Sequence, residues 1–193
     1  LLPGSREQTI VNFALQIEAL GMLPEPVRPD VFVAVAEGIE PEQLAKTANL
    51  FFHPAQGRER SDLGRLTAPG LHVHLARGAL RPLLDASDVV MSQAGTATIQ
   101  AIGLGKPVIT FARDTVRSRR IEGNNKLYGE ARLRVPSEAA PIADALARLL
   151  TDDAERKRLS EIGKERIGPP GVIAHIIAAI EAPPPAAATP NAA

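Results

Sequence analysis

DVVMSQAGTAT, at residues 88–98, is the most informative segment for predicting the fold. Its first half is a short apolar run, which predicts a strand over 88–92. Small residues follow, and the composition from Gly95 to about Gly105 is that of a helix. Pro107 then opens a second apolar run, PVITF, which predicts another strand. Two strands joined by a helix are the unit from which parallel sheets are built.

The same alternation of strands and helices continues on both sides of this stretch. The pattern predicts further strands over 31–36, 71–76 and 133–135, and further helices over 7–20, 42–50, 80–86, 141–150, 152–162 and 172–180. Residues 51–70 are rich in Gly, Arg and Ser and are predicted to form a loop. Because repeated β–α units imply parallel strands with crossover helices, the predicted fold is α/β, a doubly wound, Rossmann-like parallel sheet.

The two ends of the chain differ from the middle. LLPGSR at residues 1–6 is typical of the end of a strand followed by a turn. We therefore expect that most of this strand, and an upstream N-terminal domain, precede Leu1. Residues 1–182 are expected to form one domain. Residues 183–193 are rich in Pro and Ala and are expected to be a disordered tail.

The composition excludes several classes of protein. Lys and Arg number 22 and are balanced by 22 Asp and Glu, so no overall field attracts nucleic acid. Aromatic residues make up 3% and Trp is absent, which leaves few platforms for stacking bases. The chain has no Cys, so disulfides and thiolate metal sites are excluded. We expect a cytoplasmic protein without a nucleic-acid partner.

The turn after the strand over 88–92 is a candidate anion-binding site. Gly95, Thr96, Ala97 and Thr98 are small, so a phosphate can approach the backbone closely. A helix that begins here directs free N–H groups and its positive dipole end at the anion. The two Thr hydroxyls add further donors. The alternative is that the small residues only permit tight packing of the helix on the sheet.

The turn at the start of the chain has the same chemistry. Gly4 permits an unusual backbone angle, Ser5 can cap the following helix, and Arg6 can make a bidentate contact with a phosphate. The alternative is an ordinary turn with a solvated Arg6. Because the carboxyl ends of parallel strands meet at one edge of the sheet, we expect the two turns to lie side by side.

Two other groups of residues have functional alternatives. His72 and His74 alternate on a predicted strand and share a face, which could provide two ligands to a metal, but no third ligand is evident. Arg117, Ser118, Arg119 and Arg120, with Asn124 and Asn125 nearby, follow a strand end and could meet phosphates or an anionic lipid. Surface or core histidines and a solvated basic loop are the competing interpretations.

These motifs resemble a known family. LLPGSR at 1–6 and SQAGTATIQAIGLGKPVITF at 92–111 closely resemble the C-terminal domain of lipid-A-disaccharide synthase. They are more distantly similar to the peptidoglycan N-acetylglucosaminyltransferase and to the UDP-GlcNAc 2-epimerases. GPPG at 168–171 resembles a group of uncharacterised proteins related to lipid-A-disaccharide synthase. The resemblance spans most of residues 1–181.

The resemblance implies an inverting, metal-independent glycosyltransferase of GT-B architecture, of which this chain is the C-terminal half. Such a half holds a UDP-sugar, with Gly4, Ser5 and Arg6 and the backbone of Gly95 and Thr96 at the pyrophosphate. The N-terminal half holds the acceptor, a sugar or a lipid-linked sugar, and supplies the general base. The resemblance therefore implies no cofactor and peripheral association of the full-length protein with the inner face of the membrane, and it leaves the catalytic residues unknown apart from a general base on the N-terminal half.

One departure from the family's pattern leaves alternatives open. In relatives, the helix after the Gly-Thr turn carries a Glu that binds the ribose hydroxyls. That position is Gln100 here, or Ile99 if the pattern of the uncharacterised group applies, and neither is a carboxylate. Gln100 can still hydrogen-bond a hydroxyl, but more weakly than a charged group. A catalytically degenerate nucleotide-binding or regulatory protein is thus one alternative to transfer of a hexosamine-type sugar, and a UDP-sugar 2-epimerase-like enzyme is another.

Overall fold

The computed structural model of the chain describes residues 1–57, 59–112, 126–169 and 171–181. The strands are β1 (Val31–Ala34), β2 (Phe51–Pro54), β3 (Asp62–Ala68), β4 (Leu71–Ala76), β5 (Val90–Met91), β6 (Val108–Ala112) and β7 (Arg132–Pro136). The helices are α1 (Thr9–Gly21), α2 (Pro41–Thr47), α3 (Leu80–Ala86), α4 (Thr96–Gly103), α5 (Ala139–Thr151), α6 (Asp153–Ile167) and α7 (Val172–Glu181). Short 3₁₀ turns lie at Glu25–Val27 and Gly129–Ala131.

Leu1 and Leu2 join two sets of strands into one sheet. One set has the order β1-β4-β3-β2 and the other the order β5-β6-β7. The Leu1 carbonyl accepts a hydrogen bond from the Ala34 N–H, 3.1 Å away, at the end of β1. On the other side, the Leu2 N–H donates to the Met91 carbonyl at 2.9 Å, and the Gln93 N–H donates to the Leu2 carbonyl at 2.8 Å. Residues 1–2 are therefore the central strand segment, between β1 and β5.

The strands next to this segment are parallel, as the α/β pattern predicts. β1 pairs in parallel with β4, and β6 pairs in parallel with both β5 and β7. Leu2 also bridges in parallel to Ser92. The α/β, Rossmann-like fold is confirmed.

The outer part of the sheet differs from the prediction. Residues 51–70 were predicted to form a loop, but β2 and β3 lie there and pair antiparallel with each other and with β4. Only Leu66 is buried in β3, so no continuous apolar run marks the strand. Gly64 has φ of +111° where the register shifts, and a Cβ there would clash with the His53 carbonyl. The prediction was wrong because a half-exposed strand with a bulge has the composition of a loop.

Each face of the central sheet has its own hydrophobic core. Successive strand residues point to opposite faces. One buried cluster contains side chains of β5, β6, α3 and α4, namely Val90, Val108, Leu84 and Ile102. The other contains side chains of β5, β6, α1 and α5, namely Met91, Ile109, Phe13 and Ile142. Helices therefore cover both faces of β5 and β6, which is what a doubly wound sheet requires.

The end of the described chain carries an exposed apolar helix. On α7, Ile173, Ile176, Ile177 and Ile180 are all at least 48% exposed. Within the described ranges, no helix is long and apolar enough to cross a membrane. The tail at 183–193 lies outside the described residues.

Close packing of α6 on α4 gives a prediction for stability. A Cβ at the buried Gly163 of α6 would lie 2.8 Å from the Ile102 carbonyl oxygen, which belongs to the backbone and cannot rotate away. Gly163→Ala should therefore lower the free energy of unfolding by about 1–3 kcal/mol, despite the higher helix propensity of Ala. Urea denaturation measures this change.

Gly103→Ala is the matched control. A Cβ at Gly103 would lie 3.1 Å from Cγ2 of Ile167, a side chain that can shift. The tighter packing caused by the added methyl group is offset by a gain in helix propensity of up to about 1 kcal/mol. This variant should therefore unfold at a urea midpoint near that of the wild type. Equal destabilisation by the two substitutions would contradict this description of the α4–α6 contact.

Candidate anion-binding site

The site lies where the chain changes direction across the sheet. From Leu2 the chain continues through α1 to β1 on one side, whereas β5 lies on the other side of Leu2. In open α/β sheets such a switch point leaves a crevice outside the carboxyl ends of the strands. The turns that follow Leu2 and β5 both open into this crevice.

A cavity of about 1020 Å³ occupies the crevice. It is lined by almost all of the residues that the sequence predicts for ligand binding: Gly4, Ser5, Arg6, Gly95, Thr96, Ala97 and Thr98. Parts of β6 and β7 complete the wall. The structure thus brings the two predicted turns together in one cavity.

The turn over residues 3–6 is held by hydrogen bonds to its carbonyl groups. Gly4 has φ of +110°, a conformation that strains every residue other than Gly. The Thr9 hydroxyl donates to the Arg6 carbonyl at 2.6 Å, and Nδ2 of Asn12 donates to the Pro3 carbonyl at 3.1 Å. Ser5 does not cap α1, since the helix begins only at Thr9. Ser5 and Arg6 are exposed at the cavity.

Hydrogen bonds made by its own side chains fix the turn over residues 92–98. Nε2 of Gln93 donates to the Phe111 carbonyl of β6 at 2.9 Å. The Ser92 and Thr98 hydroxyls are 2.7 Å apart, and both side chains are buried. Gly95, which precedes α4, has no side chain to cap the helix, so the first N–H groups of α4 are left for a ligand.

Two residues that were predicted to contact a ligand, Thr98 and Gln100, lie in surroundings that differ from the expectation. Thr98 was predicted as a hydroxyl donor to a ligand, but its hydroxyl donates to the Ala94 carbonyl at 2.6 Å. Gln100 is exposed and does not belong to the cavity wall, whereas Ile99 does. The reason is helical geometry, because adjacent residues of a helix point about 100° apart.

Arg132 and Arg134 line the cavity and were not predicted. They alternate on β7 and so share a face of the sheet. The guanidinium carbon of Arg132 lies 5.0 Å from the centre of the Tyr128 ring. Burial lowers the pKa of Arg132, Tyr128 opposes this shift, and the charge of Arg134 adds to it. The only feature of the sequence that concerns these two arginines is the alternation in RLRVP. This alternation indicates that they share a face of a strand, but it does not show that β7 borders the site.

The charges of the wall favour an anion. Among the described residues that line the cavity, Arg6, Arg132 and Arg134 are cationic and Glu7 is anionic. The N-terminus of α4 adds the positive end of a helix dipole. An arrangement of cations, N–H groups and small residues can bind phosphate groups and carries no obvious nucleophile.

The other candidate residues lie elsewhere. His72 and His74 are exposed on β4. Within the part of the chain that the structure describes, no three His, Cys, Asp or Glu side chains are arranged to hold a metal ion. The Arg117–Arg120 cluster, Asn124 and Asn125 lie outside the described residues.

The fold is a Rossmann-like α/β domain with a cavity at its switch point, lined by two glycine-containing turns and three arginines. No family model matches the chain. It is similar to the lipid-A-disaccharide synthases of Xylella fastidiosa strains 9a5c and M12, with 30% identity over 138 residues in each case. The match covers 71% of this chain and 32% of each relative, so the chain spans about a third of the length of the curated relatives that it matches.

The cationic wall gives a testable prediction. Arg134→Gln should weaken binding of inorganic pyrophosphate about fivefold to tenfold, because a hydrogen bond to a charged group contributes roughly 1.5–3 kcal/mol and Arg134 is partly screened by water. Calorimetric titration at two salt concentrations measures both the affinity and its salt dependence.

Arg148→Gln is the control for this experiment. It removes the same charge from an exposed residue of α5 that lines a neighbouring groove and not this cavity, whereas Arg134 borders both. Its effect should stay within about twofold, as expected of a screened surface charge. If both substitutions weaken pyrophosphate equally, the cavity is not where pyrophosphate binds.

Proposed function

We propose that this chain is the donor-binding domain of a glycosyltransferase. It holds the pyrophosphate of a UDP-sugar between the turn over residues 3–6 and the N-terminus of α4. The observation that carries the proposal is the meeting of these two turns in one cavity with Arg6, Arg132 and Arg134. The distant similarity to lipid-A-disaccharide synthases supports a glycosyltransferase, and the resemblance of the two motifs implies that its donor is a UDP-sugar.

The chemistry of the two turns suits a diphosphate. A pyrophosphate offers several anionic oxygens over a few ångströms, and it needs donors from more than one direction. Gly4 and Gly95 lack side chains, so the phosphates can approach the backbone on both sides. Arg6 can then neutralise charge from the solvent side, where its side chain is exposed.

The wall of the cavity includes an apolar side chain of α4. Ile99 belongs to the wall one turn into α4, and Gln100 does not. In the proposed complex Ile99 packs against the nucleoside, and no carboxylate binds the ribose hydroxyls. Most of the binding free energy then comes from the phosphates.

The transferred group and its acceptor follow from the resemblance. We propose transfer of a hexosamine-type sugar, with inversion and without a metal, to a sugar or lipid-linked acceptor held by the remainder of a longer protein at the cytoplasmic face of the membrane. That remainder also supplies the general base. This chain alone therefore binds the donor and does not turn it over.

A degenerate, non-catalytic nucleotide-binding protein is the second candidate. It is favoured by the absence of a carboxylate at both positions where the resemblance implies one, since Ile99 lines the cavity and Gln100 does not. A protein that lost donor binding under relaxed selection would bind UDP more tightly once that carboxylate was restored.

Nucleotide titration tests the leading proposal. Calorimetry should detect binding of UDP and UDP-GlcNAc, and both should bind about tenfold or more tightly than UMP, because the second phosphate adds charged hydrogen bonds. A folded protein that gives no binding heat with any of these ligands at millimolar concentration would contradict the proposal.

Paired substitutions on α4 separate the two candidates. If Ile99 packs on the nucleoside, Ile99→Glu should weaken UDP about fivefold to tenfold through lost apolar contact, with a smaller effect on inorganic pyrophosphate. Gln100→Glu adds a similar charge outside the cavity and should leave both affinities within about twofold. A gain in UDP affinity from Ile99→Glu would instead support the degenerate protein.

A further inference from the structure

Two buried hydroxyl groups lie beneath the exposed turn that opens α4. Ser92 is 0% exposed and Thr98 is 3% exposed, whereas Gly95 and Thr96 between them are exposed. Buried hydroxyls need hydrogen-bond partners, since an unpaired one loses its hydration without compensation. Both hydroxyls find their partners within the turn itself.

The hydrogen bonds have a defined direction. Thr98 has one hydroxyl proton, and Oγ1 donates it to the Ala94 carbonyl at 2.6 Å. The 2.7 Å contact between the two hydroxyls is therefore a donation from Oγ of Ser92 to Oγ1 of Thr98. The Ala94 N–H completes the cycle, because it donates to Oγ of Ser92 at 3.2 Å.

Two hydrogen bonds of Gln93 fix the chain at the start of this turn. The Gln93 N–H donates to the Leu2 carbonyl at 2.8 Å, and Nε2 of Gln93 donates to the Phe111 carbonyl at 2.9 Å. The start of the turn is thus tied to the central strand segment and to β6. The remaining residues, Gly95 to Ala97, line the cavity.

We propose that Ser92 and Thr98 are positioning residues, which hold the N–H groups of residues 95–97 in the orientation that binds a phosphate. This inference rests on the proposed binding of a diphosphate at the turn. Neither hydroxyl contacts the ligand. Their effect is preorganisation, because donors that are already oriented need no rearrangement when the anion binds.

The competing interpretation is local. A Thr inside a helix often donates to the carbonyl four residues earlier, with no role beyond that helix. The same chain provides a Thr of this kind, since Oγ1 of Thr151 on α5 donates to the Ala147 carbonyl at 2.9 Å. Thr98 differs because it also accepts from Ser92, which precedes the helix and belongs to the end of β5.

The test measures inorganic pyrophosphate and UDP binding to matched variants. Thr98→Val keeps the shape and removes the hydroxyl, so it should weaken both ligands about fivefold to tenfold. Thr98→Ser keeps the hydroxyl and should bind within about twofold of the wild type. Ser92→Ala removes two bonds of the cycle, those with Oγ1 of Thr98 and with the Ala94 N–H, and leaves the Thr98 hydroxyl bonded to the Ala94 carbonyl. About threefold weaker binding is therefore expected, and this variant serves if Thr98→Val does not fold.

A matched control separates positioning from the general loss of a hydrogen bond. Thr151→Val removes a hydrogen bond between a Thr hydroxyl and the carbonyl four residues earlier on α5, away from the cavity, so it should keep wild-type affinity. Amide exchange at Ala94 should accelerate in Ser92→Ala without ligand, because its acceptor is lost.

The outcomes distinguish this inference from the proposed function. If the wild type binds pyrophosphate or UDP and Thr98→Val binds it equally well, the positioning role is overturned and the donor-binding proposal stands. If the wild type binds pyrophosphate but not UDP, the donor proposal fails and the variants still test positioning. If the wild type binds neither ligand, both are overturned.

Discussion

The hydrogen bonds of Leu1 and Leu2 are the interaction on which the rest of the molecule depends. Leu1 pairs with β1 and Leu2 pairs with β5, so two residues connect seven strands into one sheet. After Leu2 the chain continues through α1 to β1 on one side of this segment, and it later returns to form β5 on the other side. This topology creates the switch point and sets the turns after Leu2 and Ser92 side by side. Without that pairing, each turn would be an isolated helix start with no shared cavity.

The cavity that results has both polar and apolar walls. Small residues, the N-terminus of α4 and three arginines line it, and so do apolar side chains such as Ile99. The ligand that we propose, a nucleotide-sugar, carries adjacent phosphates and less polar groups. The buried hydroxyls of Ser92 and Thr98 bond within the turn, and in our proposal this arrangement leaves the backbone N–H groups for the ligand.

The elements that could be predicted from the sequence are those with a local signal. β4 and α3 have the bounds that periodicity indicates, 71–76 and 80–86, because their apolar spacing is undisturbed. The turn at Gly95 was located because Gly and Thr follow a buried strand directly. β2 and β3 were missed because their exposed residues and the bulge at Gly64 resemble a loop. Arg132 and Arg134 could not be assigned to the site, since only the tertiary pairing of β7 with β6 brings them to the cavity wall. The position of Ile99 at the cavity wall also depends on how α4 packs on the sheet.

An NMR titration of the isotopically labelled chain with UDP is the decisive measurement for the meeting of the two turns. If the nucleotide's phosphates lie between them, the largest amide shifts fall on Gly4, Ser5 and Arg6 and on Gly95, Thr96 and Ala97, and all follow one dissociation constant. Shifts concentrated in the groove near Glu130, Arg148 and Arg158, or no shifts at millimolar UDP, would show that the switch point is not a phosphate site.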